Sequence, residues 1–222
     1  NWKFVIWYFV YRQTLLGIPG KFNSLWDDFF ETIRSKIPNA SIGGVGYSPS
    51  VHRDAAIEFY HNWTHAKHMP DFITMNSYPY REAEEPTKMN ALRQNIENFL
   101  SNDLNEMHSI LSEAGFPALP IVVIEWNLSF IHRNSLNDMA AKAAIMINQM
   151  VDSLGEVEDI CYWYASDIFA GDIDAKRILN GACGLISSDG FCKPPYYALL
   201  FFKQLYNQLI ERNEHYIVTR DE

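Results

Sequence analysis

Glu125 closes the run Leu119-Pro120-Ile121-Val122-Val123-Ile124, and an acid directly behind four β-branched residues is where this chain is best placed to do chemistry. The run predicts a strand buried on both faces. An ionised carboxylate at the end of such a strand is costly unless it is paired or held for a reaction. Nucleophilic attack, proton transfer and a structural ion pair are all open to it. Trp126 and Asn127 follow at once, and aromatic residues at this and other strand ends favour a site over an ion pair. Other groups offer less. His61, His65 and His68 have helical spacing, but with no H-E-x-x-H pattern they predict a solvated helix end rather than a metal centre. The three cysteines, Cys161, Cys183 and Cys192, lack metal-ligand spacing, and Cys161 lies in an apolar run that predicts a buried thiol. That usage suits a reducing cytoplasm. Asn39, Asn62 and Asn127 begin N-x-S/T triplets that read as chance. Neither glycine-rich phosphate-loop pattern occurs, so no cofactor is expected.

The frame around Glu125 alternates strand and helix. Apolar runs at 4–10, 40–47, 71–79, 119–127 and 159–167 predict strands. Helices are predicted over 24–36, with Asn23 as cap and Leu25, Phe29, Phe30 and Ile33 inward, and over 53–67. A long helix at 88–113 carries Leu92, Ile96, Phe99, Leu100, Leu104, Met107 and Leu111 on one face. Another, at 135–154, carries Met139, Ala143, Ile147 and Met150, and Pro194-Pro195 opens a last one through Leu209. Gly43, Gly44 and Gly46 permit close approach of a ligand or helix, tight packing being the commoner cause. This order predicts a parallel sheet with right-handed crossovers, and the missing phosphate loop favours a barrel over a doubly wound sheet. The expected fold is α/β: the C-terminal part, about five βα units, of a (β/α)8 TIM barrel over residues 1–209. Residues 210–222 read as a charged tail leading into a following domain, with a strand at 215–220. The start lacks a Met, so the chain is expected to begin inside a larger protein. A net charge of −9 argues against gripping a phosphate backbone, and no apolar run is long enough to cross a bilayer.

Val123-Ile124-Glu125-Trp126-Asn127 resembles the nucleophile strand of family 39 glycoside hydrolases, the β-xylosidase and iduronidase group of retaining TIM barrels. Trp2 through Phe9 resembles that family's W-x-F-E-x-W-N-E strand, and Asp71-Phe72-Ile73 through Tyr78-Pro79 its D-F-I-S-x-H-x-Y-P strand. Tyr162-Trp163 through Phe169 is similar to its last strand, and Gly184-Leu185-Ile186 through Lys193-Pro194-Pro195-Tyr196-Tyr197-Ala198 to its closing segment. The likeness spans residues 2–205, the second half of the barrel. It implies Glu125 as nucleophile, Tyr78 as a hydroxyl near that carboxylate, and Trp163 as a flat face for a sugar ring, a core Trp being the other reading. Trp7, Trp126 and Asp167 are weaker pocket candidates, and Asn76 stands where the family carries a His. The departure that matters most is Tyr8-Phe9, where the family carries Asn-Glu with that Glu as acid/base. Phenylalanine cannot move a proton, and retaining cleavage uses two carboxyl groups about 5 Å apart. The expectation is therefore a catalytically impaired module that binds a mono- or oligosaccharide, xylose-type by resemblance. Barrels resembling family 39 also follow AraC-type helix-turn-helix domains in bacterial transcription regulators. That implies a cytoplasmic sugar sensor that meets DNA only through a domain outside this chain, touches no membrane and can form a homodimer. Two other readings stay open. One is a retaining β-xylosidase with its proton donor elsewhere; the other is a barrel half that dimerises through strand edges at 4–9 and 159–167.

Overall fold

The computed structural model describes residues 3–7, 21–49, 53–79, 95–129, 134–167, 178–213 and 215–221. The chain divides into two compact units, Asn1–Asn127 with Ser153–Tyr162, and Leu128–Asp152 with Trp163–Glu222. Strands β1 (Lys3–Trp7), β2 (Ser41–Tyr47), β3 (Phe72–Ser77), β4 (Ile121–Trp126) and β5 (Asp159–Tyr162) belong to the first, with helices α1 (Lys21–Lys36), α2 (Arg53–Trp63) and α3 (Phe99–Glu113). The five strands pair in parallel, in the order β1-β2-β3-β4-β5. Each connection thus moves one strand further in the same direction. A doubly wound sheet would reverse that order partway, whereas a barrel wall does not.

The sheet is also curled. Lys3, at the start of β1, pairs with Asp159 at the start of β5 and lies 2.8 Å from Glu158 just before it. Four flat steps of about 4.8 Å would separate those strands by roughly 19 Å, too far for two side chains to close. Hydrogen bonds that its ammonium donates to Asp159 and Glu158 hold the Lys3 pKa above its ordinary value. Its Nζ is also 6.0 Å from the centre of the Phe72 ring, at the start of β3.

The strand expected to be buried on both faces is so: in β4 only Ile124 is even partly exposed. Gly43 owes its place to packing. A Cβ there would lie 2.3 Å from the Phe72 carbonyl oxygen and 2.6 Å from its ring. Helix α1 begins three residues earlier than its pattern suggests, so its buried residues are Phe22 and Trp26, while Leu25 is 43 % exposed. Phe22 and Trp26 meet Trp63 of α2 edge-on, at 5.1 and 4.9 Å between ring centres. Helix α2 stops at Trp63 rather than 67, where Thr64 Oγ1 donates to the His61 carbonyl at 2.6 Å. Helix α3 buries Phe99, Leu100, Leu104, Met107 and Leu111, with Ile110 and Asp103 added. The first turns expected for it, at 88–94, lie outside the described residues, as do the 8–10 end of the first strand, Tyr8 and Phe9.

The second unit holds a 3-10 turn (Ser135–Asp138), helices α4 (Ala140–Asp152) and α5 (Pro194–Phe202), and strands β6 (Gln208–Arg212) and β7 (Ile217–Arg220). The single helix expected at 135–154 is broken at Met139, whose backbone is extended. Its expected apolar stripe is displaced, because the buried residues of α4 are Lys142, Met146 and Gln149, and Met139 is 49 % exposed. Helix α5 ends at Phe202, well short of Leu209. Leu209 instead lies in β6, which pairs antiparallel with β7, so the expected tail is a hairpin. Cys161, expected to be buried in a strand running to Asp167, is exposed in a strand that ends at Tyr162.

Candidate active site

Parallel strands deliver their C-terminal ends to one rim of the sheet, and β3 and β4 deliver Asn76 and Glu125 there as register partners. Partners in a parallel ladder point to the same face, so the amide and the carboxylate stand side by side. The next pair, Ser77 and Trp126, points to the opposite face. There the Ser77 hydroxyl donates to Asp103 Oδ2 of α3 at 2.7 Å, and Trp126 is fully buried, its ring 6.3 Å from that of Tyr162. This corrects Trp126 as a pocket residue. Period-two alternation puts it behind the sheet when Glu125 is in front.

Tyr78 lies two residues beyond Asn76, and its hydroxyl donates to Glu125 Oε2 at 2.8 Å. Glu125 is 9 % exposed. Burial pushes its carboxyl above the ordinary carboxylate pKa, and the Tyr78 hydrogen bond, which favours the charged form, opposes the rise. A carboxylate so held is poorly solvated and oriented by a donor on one oxygen. These conditions suit a nucleophile whose charge is stabilised when it bonds to an electron-poor carbon. Asn76 Oδ1 is buried and has no hydrogen-bond partner among the described residues. The structure thus brings together Glu125, Tyr78 and Asn76. The Trp7 side chain and Phe9 lie outside the described residues.

Trp163 and Asp167 belong to the second unit. Trp163 is half-buried there, edge-on to Tyr164 at 5.5 Å between ring centres. Asp167, expected as a pocket residue, is only 5 % exposed and anchors a buried network. Its Oδ1 accepts from the Gly184 N–H at 2.7 Å, and Lys193 Nζ lies 3.1 Å from its Oδ2. Lys193 also donates to the Ala182 carbonyl at 2.7 Å and lies 2.9 Å from Asp138 Oδ1, outside hydrogen-bond geometry there. Beside it Lys142 Nζ donates to Asn137 Oδ1 at 2.7 Å, and burial pulls the Lys142 pKa down to about 7. A carboxylate with a lysine and a backbone N–H on it has a structural task. Sequence reasoning missed Asp138, Lys142 and Lys193 because a buried lysine looks like a surface residue until its partners are known.

The histidines are engaged locally. His61 Nδ1 is 3.2 Å from the Ala114 carbonyl, and His68 stacks on Phe30 with its Nε2 3.1 Å from Glu31. Among the described residues no group of three His, Cys, Asp or Glu side chains could hold a metal ion, and no helix is long and apolar enough to cross a membrane.

The chain matches the family described as Glycosyl hydrolases family 39 over residues 1–221. It is 24 % identical over 200 residues to a beta-xylosidase of Geobacillus stearothermophilus, a match covering 88 % of this chain and 39 % of that protein. Its fold is similar to a monomeric beta-xylosidase from Caulobacter crescentus CB15, with a TM-score of 0.65, 18 % identity, and coverage of 94 % of this chain and 51 % of that one. A GH39 enzyme from Xanthomonas axonopodis pv. citri gives a TM-score of 0.63 at 18 % identity, covering 91 % of this chain and 49 % of that one. The chain therefore spans about half the length of these solved relatives, and its curled parallel sheet is the C-terminal part of a TIM barrel. By sequence and by fold, this chain belongs to glycosyl hydrolase family 39.

Proposed function

We propose that this chain binds a sugar at the C-terminal ends of β3 and β4, with Glu125 facing the anomeric carbon, and that it turns over unactivated glycosides poorly. The observation carrying this reading is the 2.8 Å hydrogen bond from Tyr78 to a buried Glu125 carboxylate at a barrel rim. In the displacement this arrangement serves, a Glu125 oxygen bonds to the anomeric carbon while the aglycone oxygen leaves with the bonding pair. That oxygen needs a proton unless it is already a stable anion. Phe9 holds the position that the family's pattern gives to the proton donor, and general acid help is worth about two to four orders of magnitude. A xylose-type sugar is the first ligand to try, given the beta-xylosidases this chain resembles.

The same relatives favour a second reading, a retaining β-xylosidase with its acid/base on another residue. One experiment separates the two: a series of aryl β-xylosides of falling leaving-group basicity, with wild type and Glu125→Ala. Binding without efficient cleavage predicts Glu125-dependent release of only the most activated phenols. The enzyme reading predicts release across the series with little dependence on leaving group. The wider role, a cytoplasmic sugar sensor behind an AraC-type DNA-binding domain, rests on Phe9 and the sequence resemblance. It predicts that a sugar binding at Glu125 changes the operator affinity of the full-length protein, and an unchanged affinity at saturating sugar rejects it.

A further inference from the structure

Asn76 presents a buried side-chain oxygen with no donor among the described residues, next to the residue on which the proposed function depends. Buried amide oxygens are nearly always matched, and an unmatched one asks for an explanation. Its described neighbours at this rim have partners. On the opposite face Ser77 is satisfied by Asp103, and on the same face Glu125 is satisfied by Tyr78. The residue as a whole is partly exposed, and it shares its face of the sheet with Glu125. An amide oxygen only accepts, so the group that completes it must be a donor.

We infer that Asn76 is a specificity determinant: its Oδ1 accepts a hydrogen bond from a hydroxyl of the sugar whose anomeric carbon faces Glu125. The inference rests on the proposed function and adds to it a ligand class, a sugar with a hydroxyl within reach of β3 rather than a deoxy, O-alkylated or fluorinated equivalent. A site built to receive a hydroxyl discriminates strongly against the analogue lacking it, because its own polar group is then left unpaired.

The test is calorimetric titration of methyl β-xyloside and its 2-, 3- and 4-deoxy analogues into wild type, Asn76→Leu and Asn76→Asp. Wild type is expected to bind one deoxy analogue about tenfold more weakly than the parent. Asn76→Leu should reduce that ratio to about twofold or less while leaving the other two ratios unchanged. Asn76→Asp, which keeps an oxygen acceptor, should retain the discrimination. Thermal midpoints give an independent readout: Asn76→Leu should melt at or above wild type, because it removes an unmatched acceptor. Identical deoxy ratios in wild type and Asn76→Leu, or a lowered midpoint with unchanged selectivity, overturn the inference and leave the sugar site standing. No saturable binding of methyl β-xyloside to wild type, with Glu125→Ala indistinguishable from it, rejects the site itself and this inference with it.

Discussion

Tyr78 and Glu125 meet at the rim, where burial raises the carboxyl's pKa and the phenol's hydrogen bond opposes that rise. Tyr78→Phe removes the hydrogen bond that opposes the rise burial gives to the Glu125 pKa. Its pH profile for Glu125-dependent release of an activated phenol should have an acid limb displaced to higher pH, with a rate near neutrality lower by about tenfold. An unmoved limb would detach Tyr78 from the chemistry. The raised carboxyl also has a consequence for stability. Above its folded pKa the ionised side chain is penalised by burial, and the penalty disappears as the pH falls below the unfolded value of 4.5, where both states are protonated. Glu125→Gln should therefore raise the thermal midpoint near neutral pH and lose that advantage below 4.5. Glu125 and Tyr78 were legible in the sequence because each ends an apolar run inside a recognisable pattern. Trp126 was misplaced because being near Glu125 in sequence is not sharing its face, and on a strand the next residue points away.

The elements themselves were legible from alternation, and their errors have a common cause in polar or small residues at packed positions. Gly43 read equally as a ligand approach or a packing position, and the Phe72 carbonyl settles it. Gly43→Ala should cost at the upper end of the about 1–3 kcal/mol typical of overpacking, seen as a lowered denaturant midpoint, because a backbone oxygen cannot yield as a side chain can. A midpoint within error of wild type would mean β2 and β3 pair less closely than described. On α4 the apolar pattern pointed to the wrong residues because Lys142 occupies the buried face. Its folded pKa of about 7 lies below the ordinary 10.5, so the unfolded chain takes up a proton first as the pH falls. Wild-type stability should therefore decline from pH 10.5 to about 7 and level off below. Lys142→Met should flatten this slope in chemical-denaturation curves, and an identical slope in the variant would show that another group controls it.

Taken together, the parallel order of the five strands, their curl across Lys3 and Asp159, and the family match over residues 1–221 describe one barrel wall with Glu125 at its rim. Barrel class was readable from strand-helix alternation without a phosphate loop. The break at Met139 and the β6–β7 hairpin were not, because each depends on partners distant from the local pattern. The proposed function requires above all that a sugar's anomeric carbon meets Glu125. The direct measurement is peptide mass spectrometry after incubation with 2,4-dinitrophenyl β-xyloside, whose phenolate leaves without a proton donor. A single pentosyl group is expected on the peptide containing Glu125, absent in Glu125→Ala and accumulating because, in the proposed function, Phe9 supplies no general base for its hydrolysis. A pentosyl group on a different carboxylate, or an unlabelled Glu125 peptide when the xyloside saturates the protein, would contradict it.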